Sequence, residues 1–401
     1  MTKKILIIEQ KEIHFTTCEP IILYFLKKNY KVLFVSTNNL KSYFENIFFV
    51  ENDLTKKRMN FNFKKILDFN FIDFIKYNPD ISIISDRYFY HKPDKKLKLI
   101  PLINYFFKFL AIAINKYILI KILKRKYFII TTHFINGDQM IRTLDKLYGQ
   151  SFIINFLFKR NWNNAMKYCD GVNVYSSLIK DRIRDRVNKK IFVAPNAYFK
   201  KNILLKNDSN NKLLVIIPGR IDTRRREYDW IDNIPNNLSN KIEIVFLGKA
   251  RTEEDMNYVS KLNDKGFIQI VKSVGQLIEH KIFDNYINSA DILFVPLREL
   301  NHEFRKFDRN LGPYFDSIRF GKPLIIPSSS PCPPEIKKST IQYDNNDELY
   351  RIFSKLTNKS LLNEHVSKAF ENSSNWSLDR ISYFNELINH YNNKKENYEK
   401  L

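Results

Sequence analysis

The chain has 401 residues, of which 44% are hydrophobic and 27% are charged, and it carries a formal net charge of +23. This length and composition fit two soluble domains with hydrophobic cores. The charge excess suits an anionic partner, namely nucleic acid, an anionic membrane surface or a phosphorylated substrate. The three cysteines show no CxxC spacing, so neither a zinc motif nor a disulfide framework is indicated.

The chain starts with MTKKILIIEQ, a charged opening that is followed at once by a short apolar run. This start lacks the hydrophobic region and the cleavage site of a signal peptide. No stretch long enough to span a bilayer is free of charge. The sequence therefore predicts a cytoplasmic protein whose first strand runs from Lys4 to Ile8.

Short β-branched runs alternate with longer helical patterns along the chain. The strand-like runs of the first half are KILIIEQ, KVLFVS, ISIIS, FIITTH and GVNVYSS. Those of the second half are KLLVIIPGR, KIEIVFLGK, FIQIVKS, DILFVPL and KPLIIPS. Two such series predict an α/β protein with two doubly wound domains, each with a parallel sheet and crossover helices. We predict an N-terminal domain at 1–194, a linker at 195–211 and a C-terminal domain at 212–370.

The segment from Lys95 to Lys126 is more apolar and more basic than an ordinary crossover helix. Lys108, Lys116 and Lys121 interrupt it, so it does not read as a spanning helix. One interpretation is an interfacial helix that contacts anionic lipids. The other is a long crossover helix buried against the sheet, with lysines that extend to solvent. We favour the membrane interpretation, with the protein peripheral on the inner face of the cell membrane.

The positions of the glycines indicate which of the two domains could bind a phosphate ligand. The first of the nine glycines is Gly137, and the chain contains neither GxGxxG nor GxxxxGK[ST]. These absences argue against an ordinary NAD or FAD enzyme and against a P-loop NTPase. The C-terminal domain, which holds six glycines, is the place where backbone can approach a phosphate.

Three motifs of the second half carry a family resemblance. DRNLGPYFDSIRFGKP has Asp308 and Asp316 separated by seven residues, just before a Gly-Lys-Pro turn. PGRIDTRRRE has Arg220 after a glycine and Arg226 six residues later, and NSADILFVPL lies between these two motifs. Together they resemble the nucleotide-sugar-binding domain of glycosyltransferase family 4, within the GT-B fold. The usual acidic residues of that family are Glu, so both aspartates depart from its pattern.

The resemblance implies a role for each of these residues. Asp316 would accept hydrogen bonds from the ribose diol and Asp308 from the sugar hydroxyls, because an ionised carboxylate accepts strong charge-assisted bonds. Arg220 and Arg226, with Gly219 and the helix start after Gly312, would bind the diphosphate. The alternatives are that the aspartates are solvated, with Asp316 as a helix cap, and that the arginines are ordinary surface charges.

The N-terminal half resembles the family more loosely. His133 ends the strand-like run KYFIITTH and is a candidate contact to the donor sugar or the acceptor, although a strand-end histidine is more often structural. NWSLDRISYF resembles a C-terminal helix, assigned to 371–401, that crosses back to the first domain. The catalytic set is therefore His133, Arg220, Arg226 and Asp308.

The resemblance implies a glycosyltransferase with two Rossmann-like domains facing each other. Its partners would be a nucleotide-sugar donor and a glycan or lipid-linked acceptor, in cell-surface polysaccharide or lipopolysaccharide synthesis. No DxD pair is present to recruit a divalent ion, so we expect no metal and no cofactor. The resemblance also implies a retaining reaction, because no residue stands out as a catalytic base and the leaving phosphate can assist the acceptor. The alternative is a basic nucleic-acid-binding protein, against which the absence of known binding motifs counts.

Overall fold

The structure is a computed structural model, and it divides the chain into two compact units. One unit comprises Met1–Asn196 with Ser382–Leu401, and the other comprises Ala197–Ile381. The described residues are 2–9, 15–37, 40, 43–44, 48–49, 54–66, 68–85, 102–131, 152–194, 197–199, 212–263, 265–271, 278–298 and 312–398.

The first unit is built on a parallel sheet. Its strands are β1 (Lys4–Ile8), β2 (Lys31–Ser36), β3 (Phe61–Lys65), β4 (Ile81–Ser85), β5 (Phe128–Thr131), β6 (Gly171–Val174) and β7 (Lys190–Val193). They lie in the order β3-β2-β1-β4-β5-β6-β7, and each neighbouring pair is parallel. The order runs outward in both directions from β1 and β4, so this sheet is doubly wound.

The helices between these strands are α1 (Phe15–Lys27), α2 (Phe71–Tyr77), α3 (Leu102–Leu123), α4 (Phe152–Tyr168) and α5 (Ser177–Ile183). Local sequence fixes their ends. Asn70 and Asp73 form a capping box at the start of α2, and Asn78 ends it in the left-handed conformation at φ 49°.

The predicted interfacial segment contains α3. In its C-terminal half, Leu119, Ile120 and Leu123 are buried in the core against the sheet, and Lys116 is also buried. Ile114 is 49% exposed and Lys121 is exposed. This half is thus a crossover helix with an outer face, and the predicted membrane contact stays a prediction. Among the described residues, no helix combines the length and the apolar character that crossing a bilayer requires.

The second unit has its own parallel sheet. Its strands are β8 (Leu213–Pro218), β9 (Ile242–Leu247), β10 (Ile268–Ile270), β11 (Ile292–Phe294), β12 (Leu324–Pro327) and β13 (Thr340–Tyr343). Their order is β10-β9-β8-β11-β12-β13, with parallel neighbours throughout. The helices are α6 (Asn236–Ser239), α7 (Glu253–Asn263), α8 (His280–Ser289), α9 (Gly312–Phe320), α10 (Asn346–Leu356) and α11 (Lys359–Ser374).

Alternation along the strands gives this sheet two apolar faces. On one face Val215 and Ile217 of β8 pack in a cluster with residues of α7 and α10. On the other face Ile216 packs in a cluster with Tyr314 and Ile318 of α9. The runs of consecutive apolar residues in these strands reflect burial on both sides.

The last helix, α12 (Ser382–Tyr398), belongs to the first unit. Its Phe384 ring stacks on Tyr24 of α1 with centroids 3.9 Å apart. The Asn173 side chain of β6 donates to the Tyr383 hydroxyl at 3.0 Å. The predicted α/β class, with two doubly wound domains and a C-terminal helix that crosses back, is confirmed.

Candidate functional site

The carboxyl edge of the second sheet has a switch point between β8 and β11, where the chain continues in opposite directions. Ligands of doubly wound sheets bind in the crevice at such a point. Gly219 follows β8 there, with a φ of +92° that side chains with a Cβ rarely adopt. A Cβ on Gly248, after β9, would lie 1.8 Å from the Gly219 carbonyl oxygen. The turns after β8 and β9 are therefore in backbone contact, which only glycine at position 248 allows.

Arg220 follows this turn and is exposed. Within the described part of the chain, no hydrogen bond or ion pair engages its side chain. The neighbouring arginines differ, because the buried carboxylate of Asp222 lies 3.2 Å from Arg224 Nε and 3.7 Å from Arg225 Nε. Arg251 Nε lies 3.8 Å from the same group. Arg220 is thus a cation of this loop that remains available to an anionic ligand.

Arg226 is buried, at 8% exposure. Its Nη2 donates to the Pro218 carbonyl oxygen at 2.7 Å, which ties the end of the loop back to β8. The guanidinium also lies beside the hydroxyl of Tyr228, whose pKa is raised by burial. Together with Tyr228, Tyr258 and Arg298, Arg226 lines a cavity of about 260 Å³. Tyr228 belongs to the core cluster on the face opposite α9.

Asp316 lies inside α9, which begins at Gly312. Because it is the fifth residue of the helix, the alternative interpretation of Asp316 as a helix cap is wrong. The side chain is partly buried, and burial is the main cause that raises the pKa of Asp316 to about 7. Arg319 acts in the opposite direction and lowers this pKa, whereas Asp284 of α8 raises it. The carboxyl group of Asp316 therefore keeps its proton to higher pH than an exposed aspartate does.

The structure places some of the predicted site residues in the second unit, and others lie outside the residues that it describes. Gly219 and Arg220 follow β8, while Gly312 and Asp316 lie on α9, which packs on one face of the same sheet. His133 and Asp308 lie outside the described residues. Sequence reasoning did not single out Gly248 or the ion pair of Asp284 with Arg319. Gly248 had a visible signal, since it directly follows the apolar part of the strand-like run KIEIVFLGK.

In the described part of the chain, no group of three or more His, Cys, Asp or Glu side chains is placed to hold a metal ion.

No protein-family model and no curated protein matches the sequence. Solved structures do match the fold. A glycosyltransferase from Rickettsia africae is 13% identical with a TM-score of 0.55, over 100% of this chain and 98% of that one. An α,α-trehalose-phosphate synthase (UDP-forming) from Burkholderia vietnamiensis is 9% identical with a TM-score of 0.55, over 97% and 100%. HepE from Anabaena, in complex with UDP and glucose, is 11% identical with a TM-score of 0.51, over 100% of both chains.

These likenesses place the chain in the GT-B fold, with two Rossmann-like domains. The more specific resemblance to glycosyltransferase family 4 stays a prediction.

Proposed function

We propose that this protein is a glycosyltransferase that moves a sugar from a nucleoside-diphosphate donor to a glycan or lipid-linked acceptor. The observation that carries the proposal is Arg220, an exposed arginine directly after the tight Gly219 turn, at the switch point of the C-terminal sheet. Support comes from the GT-B fold, since the Anabaena protein that shares it was solved with UDP and glucose.

The proposed donor site uses three chemical contacts. Arg220 binds the diphosphate, because a guanidinium fork matches two phosphate oxygens at once. The N-terminus of α9 at Gly312 adds partial positive charge from its free backbone N–H groups. Asp316, as a carboxylate, accepts hydrogen bonds from the ribose diol.

Three assignments remain predictions within this proposal. Asp308 is assigned to the sugar hydroxyls, and His133 to the donor sugar or the acceptor. Arg226 is assigned to the diphosphate, but its buried position beside Tyr228 supports this role less than the exposure of Arg220 does.

In the proposed reaction, the acceptor hydroxyl oxygen forms a bond to the anomeric carbon while the bond from that carbon to the diphosphate oxygen breaks. The new bond forms on the face that the leaving group occupies, so the configuration at the anomeric carbon is retained. The acceptor proton passes to the leaving phosphate oxygen, so the reaction requires no separate base. Negative charge grows on the leaving diphosphate, so Arg220 stabilises the transition state more than the ground state. The same charge compensation makes the reaction independent of a divalent ion.

Isothermal calorimetry with UDP, GDP, ADP and CDP, followed by turnover assays with the matching nucleotide sugars, tests the proposal. Arg220→Gln should weaken binding of the preferred nucleotide by roughly tenfold or more and lower turnover further. Arg224→Gln is the matched control, because this arginine of the same loop is paired with Asp222. Oligonucleotides provide the comparison for the nucleic-acid alternative. Saturable binding of oligonucleotides, without binding of any nucleoside diphosphate, would refute the proposal.

The proposed acceptor is a component of cell-surface polysaccharide or lipopolysaccharide synthesis. The protein would bind it at the inner face of the cell membrane. The support is the net charge of +23 and the basic, apolar segment that includes α3. The protein should sediment with anionic vesicles at low salt and be released at high salt, because screening weakens attraction to anionic lipids. Equal recovery in the supernatant with and without vesicles would contradict the membrane contact and leave the donor site untouched.

A further inference from the structure

A partly buried ion pair joins α8 to α9 near the carboxyl group of Asp316. Arg319 Nη1 donates to Asp284 Oδ1 at 3.0 Å, and Arg319 Nη2 donates to Asp284 Oδ2 at 2.8 Å. Arg319 is 8% exposed and the Asp284 side chain is 29% exposed, so the pair is partly shielded from solvent. A bidentate pair of this kind holds both side chains in one geometry.

Asp316 precedes Arg319 by three residues on α9, a spacing that places two side chains on the same face of a helix. The charges of the pair act on Asp316 in opposite senses. Burial is the largest influence and raises the pKa of Asp316, Arg319 lowers that pKa, and Asp284 raises it. Loss of either member therefore shifts the ionisation of Asp316 in a direction that depends on which one is lost.

The other contacts described around α9 are uncharged. From α11, the Ser373 hydroxyl donates to the Ser317 carbonyl oxygen at 3.5 Å, and Phe370 lies beside Gly321. The sheet contributes apolar side chains such as Ile216 to the cluster around α9. Among the described residues, Arg319 and Asp284 are the charged groups that act on Asp316.

We propose that Arg319 and Asp284 are positioning residues that set the pH at which Asp316 accepts hydrogen bonds from the donor ribose. The inference rests on the proposed function, because it takes Asp316 as the ribose contact. A carboxylate accepts from both hydroxyls of a diol, whereas a protonated carboxyl group competes as a donor. Nucleotide affinity should therefore fall as Asp316 takes up a proton, and the ion pair shifts the pH at which that happens.

The test is the midpoint of the pH profile of nucleoside-diphosphate affinity, measured by calorimetry between roughly pH 5.5 and 8.5. Asp284→Asn leaves the charge of Arg319 unopposed, so the midpoint should move to lower pH by roughly one pH unit. Arg319→Met leaves Asp284 unopposed, so the midpoint should move to higher pH by a similar amount. Arg319→Lys keeps the charge and should return the midpoint close to that of the parent protein.

The matched control is Asp232→Asn, which removes a carboxylate paired with Lys265 elsewhere in the same unit. Its midpoint should equal that of the parent. If the pair only supported the fold, Asp284→Asn and Arg319→Met would lower affinity at every pH without moving the midpoint, and the inference would be wrong.

A second measurement needs no ligand. The folded state retains a proton on Asp316 at pH values where the unfolded state has lost it, so Asp316 costs stability as the pH rises from about 4 through 7. Replacement by Asn should therefore stabilise the protein more at pH 8 than at pH 5. In the Asp284→Asn background this gain should be smaller and level off at lower pH, and in the Arg319→Met background it should be larger and level off at higher pH.

The two measurements separate the inference from the proposed function. Failure of every nucleoside diphosphate to bind any of these proteins would overturn the proposed function, and the ribose contact with it. Nucleotide binding whose midpoint is the same in all variants would overturn the inference alone.

Discussion

The carboxyl edges of the two sheets differ in the residue types at which their strands end. In the second unit, β8 and β9 end in turns whose backbones touch, at Gly219 and Gly248. In the first unit, β2, β4 and β5 end at Ser36, Ser85 and Thr131, whose side chains are all buried. One edge is therefore shaped by turns that require glycine, and the other has strands that end in buried hydroxyl-bearing side chains.

The contact between the two glycine turns is the feature whose loss should have the largest effect. Gly248→Ala would place a methyl group 1.8 Å from the Gly219 carbonyl oxygen. Because backbone on both sides must then move, we expect a loss of more than about 3 kcal/mol in the free energy of unfolding. Chemical denaturation followed by circular dichroism measures this loss.

The control for this substitution is Gly312→Ala. A Cβ there meets no atom of the described structure within 4 Å, and the residue is the first of α9. Because Ala favours a helix over Gly, this variant should be as stable as the parent or more stable by up to ~1 kcal/mol. Equal losses for the two substitutions would show that the backbone contact is not what requires glycine at position 248.

Asp316 tests whether the edge of the second sheet binds a nucleotide. Asp316→Ala removes a charged acceptor and should weaken nucleoside-diphosphate binding by about 1.5–3 kcal/mol, or roughly ten- to hundredfold. Asp347→Ala, at the exposed start of α10, serves as the control for charge alone. Calorimetry with folded variants decides, and parent-like affinity in Asp316→Ala would refute the ribose contact.

In the first unit, side-chain hydrogen bonds help to hold α12 against the sheet. Tyr383→Phe removes the buried hydroxyl that accepts from Asn173 at 3.0 Å. We expect a loss of about 0.5–1.5 kcal/mol in the free energy of unfolding. Tyr258→Phe removes a bond to the exposed Asp229 in the other unit and should cost less. A larger loss for Tyr258→Phe in urea denaturation would contradict this ranking.

The smallest expected effect concerns His390 of α12, whose ring contacts the Tyr127 hydroxyl at 2.8 Å. Burial, with smaller contributions from Lys394 and Lys190, lowers the pKa of His390. Because the unfolded state then takes up a proton first, stability should fall as the pH drops below about 6.5. His390→Gln should flatten this dependence slightly in thermal unfolding between roughly pH 5 and 7. An unchanged slope would show that His390 contributes nothing to the acid sensitivity.

Sequence patterns predicted the central strands because these are continuous apolar runs buried on both faces. They did not single out β3, β7 or β13, which lie at or near sheet edges. In β3, FNFKK carries two lysines and no strand residue is fully buried, so its pattern resembles that of a loop. Short, half-exposed edge strands are formed by pairing with a neighbour, which a local pattern does not record.

The site was only partly predictable for a similar reason. Gly219 and Arg220 follow an unmistakable apolar strand, so their place at the sheet edge could be derived from sequence. The burial of Arg226 depends on the fold of the loop back to Pro218, and the raised pKa of Asp316 depends first on its burial in the folded unit and then on Arg319 and Asp284. Neither effect is local in the chain. The same holds for Gly248, whose need for glycine comes from the neighbouring turn.

The position of α12 has a consequence for synthesis on the ribosome. The first unit is discontinuous, because Ser382–Leu401 completes it after the whole second unit has been translated. Until then, the nascent chain lacks Phe384, which stacks on Tyr24 and is fully buried in the finished protein. The aromatic surface around Tyr24 therefore stays uncovered while roughly half of the chain is still being synthesised. We expect this interval to be the stage at which chaperones engage the protein.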